Sequence, residues 1–384
     1  MHRIWLVALA LGLCTAAGAQ DLVIVNAHIL DGNGGAIEQG SVVVQNGRIE
    51  SVRAGNASVP GALRIDARGR TVMPGLIDAH RHLIDGDPDT WLAESSVKQM
   101  QEYLDAGFTS VLASGDPTSA ILELRRRLGA GELAGPRLLV SGEIVSTSIS
   151  PAEARAKVRE LQGAGVDVIK TVYNSSPDGS SQRTLEAIVD ESNRLGIETM
   201  VHAITATSTV EAVETGPDRL VHTPHTGVLS PEAAAFVAGA GIPMTSTLGV
   251  FVPLFADDGS LLWRDRSPLP EGGVQAAGQG PVNGRFLWDE GIVYGFGTDT
   301  RFLPRDSLMH ELKALQILWS PRDIVSILTK NAAAYMRIED EVGTLARGKV
   351  ADLVMLEASP LEDVHNYAHV VLVVQGGSIV SDQR

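Results

Sequence analysis

Between residues 73 and 341 the chain repeats one pattern: a short apolar run of strand character, then a longer stretch with helix start and stop signals. The strand-like runs fall at 76–82, 108–114, 137–144, 166–173, 197–204, 219–224, 243–250 and 293–299. The helical stretches are punctuated as helices should be. In "SISPAEARAKVRELQGAG", Ser150 is placed to cap, Pro151 opens the first turn, Glu153 completes a capping box and Gly163 stands near the end. A strand followed by a helix buries its apolar faces by laying parallel strands side by side under a layer of helices. Eight such units in this length is the count for a (β/α)8 TIM barrel.

The flanks read differently. From Leu22 to about Val72 the segments "LVIVNAHILDGNG" and "GSVVVQNGRIESVRAG" alternate apolar and polar residues between Gly and Asn turns. The C-terminal "ADLVMLEAS" and "VVLVVQGGSIVSD" do the same. The expectation is a small β-sandwich built from both chain ends, 20–72 plus 342–384, around a barrel at 73–341. One connection, 251–292, is too long for a simple crossover. A long loop on this side of a barrel would rise over its active face, as a substrate-covering lid or as an insertion without that role.

Residues 1–19 stand apart. A basic start (His2, Arg3), an apolar run from Ile4 to about Cys14 and the small residues Ala17-Gly18-Ala19 have the form of a secretory signal peptide. The run is short of the ~20 residues a membrane span needs. Cleavage would place the protein in the periplasm or outside the cell, remove its only cysteine, and take the formal net charge from −15 to −16. A metal site in the mature chain must therefore use His, Asp, Glu or Lys. The acidic balance and the lack of a basic run argue against nucleic acid or anionic membrane partners.

Barrel active sites lie at the C-terminal ends of the strands. The first strand ends in "DAHRH"; residues i and i+2 of a strand share a face, so His80 and His82 present two imidazoles to one point. The fourth carries Lys170, the fifth His202, the sixth His222 and then His225, and the eighth ends in Asp299. Singly each suits a hydrogen-bonded rim residue; together they converge on one mouth. Lys170 is the exception, because an ammonium offers a metal no lone pair. An inward amine among valines loses its charge readily. The neutral amine can take up carbon dioxide as a carbamate, whose two oxygens can bridge two metals. A salt bridge to Asp299, or a lysine reaching back to solvent, is the other reading. Arg81, between the paired histidines, faces away by strand alternation and reads as structural.

These motifs resemble the amidohydrolase superfamily, in the branch around Xaa-Pro dipeptidases and imidazolonepropionase-like proteins. "PGLIDAHRH" is similar to its first-strand signature. "VIK", "VHA", "DRLVH" and "GTD" follow in its order on strands four, five, six and eight, and "GTLARGKVADLVMLEASPLEDV" resembles its return into a β-domain. The resemblance covers essentially the whole mature chain. It implies two divalent metals, with His80, His82 and Asp299 on one, His202 and His222 on the other, and carboxylated Lys170 with a hydroxide between them. Zinc suits imidazole and carboxylate donors. Asp299 would act as general acid and base while the shared hydroxide attacks an amide-type bond.

The substrate so implied is small, possibly a dipeptide. A cyclic amide, lactone or carbamate would use the same centre. Arg301 and Tyr173 are candidate substrate-binding groups. His225 is a candidate for substrate contact or for the place of His222, which keeps the spacing from Asp218. Deamination of a heterocycle is disfavoured: no acid follows His202 before Glu211, and Lys170 is present. A non-enzymatic metal-binding module is disfavoured because all six ligand positions are filled. A homo-oligomer remains open, dimers being the commonest assembly.

Overall fold

The computed structural model describes residues 21–251, 254–255, 261–263 and 276–384. The signal peptide expected at 1–19 lies outside the described residues.

Both chain ends enter one sheet. Its strands are β1 (Leu22–Leu30), β2 (Ala36–Gln45), β3 (Arg48–Ala54), β4 (Leu63–Asp66) and β5 (Thr71–Pro74) from the N-terminal part. β17 (Leu353–Leu356), β18 (Val370–Gln375) and β19 (Ser378–Asp382) come from the C-terminal part. The order is β19-β18-β17-β5-β1-β2-β3, with β4 beside β1. β17 enters antiparallel to β5, pairing Leu353 with Pro74 and Leu356 with Thr71. Its apolar side chains pack with those of β1 and β2 in a core of their own that includes Ile24, Ile29, Val42, Leu353 and Met355. The expected joining of the two ends thus takes the form of a single eight-stranded sheet.

Only Gly75 separates β5 from β6 (Leu76–Arg81), so the sheet leads straight into the strand carrying the paired histidines. A Cβ at Gly75 would strike the Thr109 side chain, which explains the glycine. Arg137 pairs with buried Asp352 at 2.9 Å, and the Gln375 side chain donates to the Thr109 carbonyl. These contacts clamp the sheet onto the starts of the next two strands.

Those strands are β7 (Phe108–Ala113) and β8 (Arg137–Val140), parallel to β6. β9 (Val145–Ser146), β10 (Ile169–Val172), β11 (Thr199–His202), β12 (Arg219–Val221), β13 (Met244–Thr245) and β16 (Tyr294–Gly295) form a second parallel sheet. Backbone hydrogen bonds join their edges: Ala79 donates to Phe296 at 2.8 Å on one side, and Asp167 to Val140 at 2.8 Å on the other. The architecture is α/β of the TIM-barrel type, with helices between the strands. Each expected strand is present but shorter. The run 137–144 keeps only β8, and β9 begins just beyond it, with Gly142 turning the chain at φ +63° between them. The 150–165 helix has its capping box, but the left-handed terminal glycine is Gly165, beyond the Gly163 read from sequence.

The 251–292 expectation needs correction. It is not one long loop: Ala276–Asp289 is a helix, packed against Pro231–Gly239 and Pro304–Leu318. Glycines and the internal Pro281 hid it from a propensity reading. Asn283 on this helix accepts from the Leu229 amide and donates to the Pro224 and Gly227 carbonyls, so the helix holds the loop that follows β12. Upstream, β14 (Leu254–Phe255) and β15 (Leu261–Trp263) pair antiparallel. The expected lid falls on a stretch mostly outside the described residues.

Candidate metal centre

Strand ends bring the expected side chains together. Asp299, just past β16, sits among three imidazoles: its carboxylate lies 3.1 Å from His80 Nε2, 3.2 Å from His82 Nε2 and 3.7 Å from His222 Nε2. The donor atoms of His80, His222 and Asp299 all fall within 4.8 Å of one another. The Lys170 amine lies 3.4 Å from His80 Nε2. The His202 ring stands edge-on to His222 with centroids 4.3 Å apart. Five strands therefore deliver six side chains to one mouth.

The backbone is strained where these ligands emerge. Non-glycine residues disfavour positive φ, yet His222 has φ +76°, Thr247 +40° and Asp299 +48°. Strain of this kind persists only where surroundings enforce it. Here the amides of Thr298 and Asp299 both donate to the His80 carbonyl. Gly297 lets that segment come close, because a Cβ there would sit 2.9 Å from the His80 Cβ.

Sequence reasoning missed the groups behind the ligands. Thr247 Oγ1 lies 2.7 Å from His222 Nδ1; a hydroxyl accepting the Nδ1 proton leaves Nε2 with a free lone pair. Buried Glu311 accepts from the Leu248 and Gly249 amides and so fixes the turn that carries Thr247. Asp78 takes the His80 amide and the Thr298 hydroxyl, and Asp116 takes the amides of Leu83 and Ile84 just after His82. The carboxylates two residues before His80 and at the end of the second strand were visible as letters; nothing local gave their partners.

Electrostatics keep the bases neutral. Burial, then the neighbouring Lys170 charge, lowers His80 to about 3 and His202 to about 3. Burial and His202 press His222 well below its usual value. Burial lowers Lys170 to about 7 against the pull of Asp299. For Asp299 burial works upward, but the facing His80 and His222 outweigh it and hold the carboxyl well below the ordinary range.

This set suits a divalent cation. His222 Nε2, the nitrogen facing Asp299, is buried and has no hydrogen-bond partner among the described residues. Several neutral imidazoles around one carboxylate form a cage short of positive charge.

Two candidate substrate groups have partners of their own. The Tyr173 hydroxyl donates to Glu211 at 2.7 Å, and Ser175 donates to the same carboxylate; Tyr173 is buried and its hydroxyl is committed. Arg301 is exposed and pairs with Asp85 at 2.7 Å, bridging the first and eighth strand loops at the rim. Each long side chain found a nearer partner outside the centre. His225 is buried, with its ring stacked on Phe251, which itself stands 6.2 Å from the His222 ring. Of the two histidines, His222 is the one whose Nε2 is directed at Asp299.

A parallel α/β fold of the TIM-barrel type with histidines, lysine and aspartate at the C-terminal ends of its strands defines a class of metal-site hydrolases. The sequence model of the Amidohydrolase family matches residues 71–380, and the chain belongs to that family. It is a hydrolase acting on C–N bonds. It is 25% identical to the imidazolonepropionase of Geobacillus kaustophilus over 96% of each chain. It is also 25% identical to the 5-methylthioadenosine/S-adenosylhomocysteine deaminase of Symbiobacterium thermophilum, over 86% of this chain and 83% of that one. Among solved structures, a putative prolidase from Bifidobacterium longum superposes with a TM-score of 0.78 at 25% identity, covering 96% of this chain and 97% of that one.

Proposed function

We propose that this chain is a binuclear, metal-dependent amidohydrolase that cleaves an amide-type bond in a small substrate, with dipeptides the first class to test. The reading takes residues 73–341 as a (β/α)8 barrel and 20–72 plus 342–384 as its β-domain. The observation that carries it is the convergence of three imidazole nitrogens on Asp299 with the buried Lys170 amine 3.4 Å from His80 Nε2. His80, His82 and Asp299 would hold one ion, His202 and His222 the other, with Lys170 between the pair. Zinc suits these donors. Bound there, divalent ions polarise a scissile carbonyl and lower the pKa of water.

The chain's own residues supply the rest. Lys170, neutral in part near pH 7, can attack carbon dioxide with its lone pair; one N–H proton passes to solvent, and an anionic carbamate replaces an amine that would repel a cation. Asp299 can take a proton from the attacking water and return it to the leaving nitrogen, since its carboxylate stays ionised and faces the centre. The Thr247 hydroxyl keeps the His222 tautomer, and Glu311 keeps Thr247 in place.

The prolidase-like fold neighbour supports a dipeptide substrate. The deaminase relative supports the alternative of losing ammonia from a heterocycle. Against deamination, the residue three after His202 is Thr205, a helix cap bonded to Ser208, and Glu211 is engaged by Tyr173 and Ser175. The sequence at 1–19 supports export to the periplasm or beyond, which N-terminal sequencing of the natural product would check. The deciding experiment is a dipeptide library offered to zinc-loaded, bicarbonate-supplied protein, with free amino acids and ammonia both followed. Release of amino acids from a coherent subset supports the peptidase reading. A blank from folded, metal-loaded protein removes dipeptides, and ammonia release from nucleosides or heterocycles instead would establish the alternative.

A further inference from the structure

Arg81 stands between the paired histidines, points away from them and is fully buried. Its Nη1 reaches three hydroxyls: Thr298 at 2.9 Å, Thr300 at 3.2 Å and Ser307 at 2.6 Å. Its Nη2 donates to the Phe302 carbonyl, and the guanidinium lies 5.6 Å from the Tyr103 ring centroid. Three of the four acceptors belong to residues 298, 300 and 302, which bracket Asp299. The fourth, Ser307, sits in the helix Pro304–Leu318 that follows, and also accepts from Thr300.

Stability alone accounts poorly for a guanidinium here: its charge favours the ionised form of buried Asp78, but through Thr298 rather than in a direct pair. No carboxylate lies within salt-bridge distance of it among the described residues, and a buried charge costs more than an apolar side chain filling the same space. What a guanidinium adds is geometry. Its planar fork fixes several acceptors at once, which neither an ammonium nor an apolar chain can do. The segment it grips needs fixing, because Asp299 holds a left-handed φ of +48° that its own side chain disfavours. Thr298 Oγ1 passes the restraint on by donating to Asp78 at 2.7 Å, so the turn is held from both sides.

We infer that Arg81 is a positioning residue for Asp299: it grips the 298–302 turn from behind β6 and sets the angle at which the carboxylate faces His80, His82 and His222. The inference rests on the metal-centre reading above. Through one strand, alternate residues then serve one site from two faces, His80 and His82 as donors and Arg81 as the anchor of the donor opposite.

The test is the visible absorption spectrum and metal content of the Co²⁺-loaded protein, for wild type, Arg81→Lys, Arg81→Met and Ser307→Ala. Turnover is followed on the dipeptide the wild type cleaves best. The expected result is unchanged Co²⁺ content with altered band intensities in Arg81→Met, a 10–100-fold lower kcat and KM within twofold. Arg81→Lys and Ser307→Ala should fall between that variant and wild type. Ser307→Ala keeps the charge buried as it is, so it reports even if Arg81→Met folds poorly. Spectra matching wild type in all three variants overturn the inference, as does a kcat loss that merely tracks a loss of folded protein by circular dichroism. Wild type that takes up no Co²⁺ overturns the metal-centre reading itself and this inference with it, and is told apart because the parent protein is then blank.

Discussion

The two ends of the barrel strands both bury charge, and they handle it in opposite ways. At the N-terminal end, buried Arg219 pairs with Glu198, Glu198 also takes Arg337 at 3.0 Å, and Arg219 lies 5.7 Å from the Tyr335 ring centroid. Those charges close on one another. At the C-terminal end, three imidazoles and an amine crowd one carboxylate, and burial lowers the proton affinity of His80, His222 and Lys170. A set of groups that conflict with each other in the protein alone is poised for a cation from outside, and such conflict marks function. The closed set at the other end is structural.

Removing metal should break the comparison most visibly. Chelation with dipicolinate should abolish turnover, and Zn²⁺ with bicarbonate should restore it. The thermal midpoint should fall as well, since an ion that binds only the folded state stabilises it in proportion to its saturation. Calorimetry on apo and loaded protein checks this; equal midpoints with equal activity would remove the distinction between the two ends.

Asp299→Asn should come next. Loss of the proton carrier should lower kcat on the order of 10²–10⁴-fold, with most of the metal retained by elemental analysis. The matching change at the other end is Arg219→Met. It leaves Glu198 short of a partner and should cost about 1–3 kcal/mol in urea unfolding while kcat stays within twofold. A large kcat effect there would show that the two ends are coupled.

The smallest effect concerns Glu311. Burial raises its carboxyl to about 7 from an ordinary 4.5. The folded state therefore binds more protons than the unfolded one between those values, and stability falls as pH rises through that window. Wild type should be more stable relative to Glu311→Gln at pH 5 than at pH 8, in urea titrations at the two values. The opposite slope would mean that its hydrogen bonds from Leu248 and Gly249 dominate over burial.

Much of the centre was legible because strand geometry is regular. Alternation along β6 paired His80 with His82 and turned Arg81 outward, and the rule that barrel sites lie at strand ends collected Lys170, His202, His222 and Asp299. The partners of groups near the mouth were less legible. Arg301 and Tyr173 have long or polar-tipped side chains near the mouth, and which partner such a group takes depends on loops distant in sequence: Asp85 for one, Glu211 for the other. The helix at Ala276–Asp289 was hidden because its stability comes from packing and from Asn283 and Gln279 tying the loop after β12, with little help from propensity.

By itself, then, the order of residues determined the periodicity of the elements, the joining of the two chain ends and the six side chains at the mouth, because these follow from spacings of two to four residues and from the count of βα units. Only the tertiary structure decided which groups stand behind them. Thr247 against His222, Glu311 beneath Thr247, and Arg81 gripping 298–302 are contacts across 25, 63 and more than 200 residues. The left-handed turns of His222 and Asp299 are enforced by those contacts and by the close approach at Gly297. Local preference opposes such turns, so no local pattern announces them.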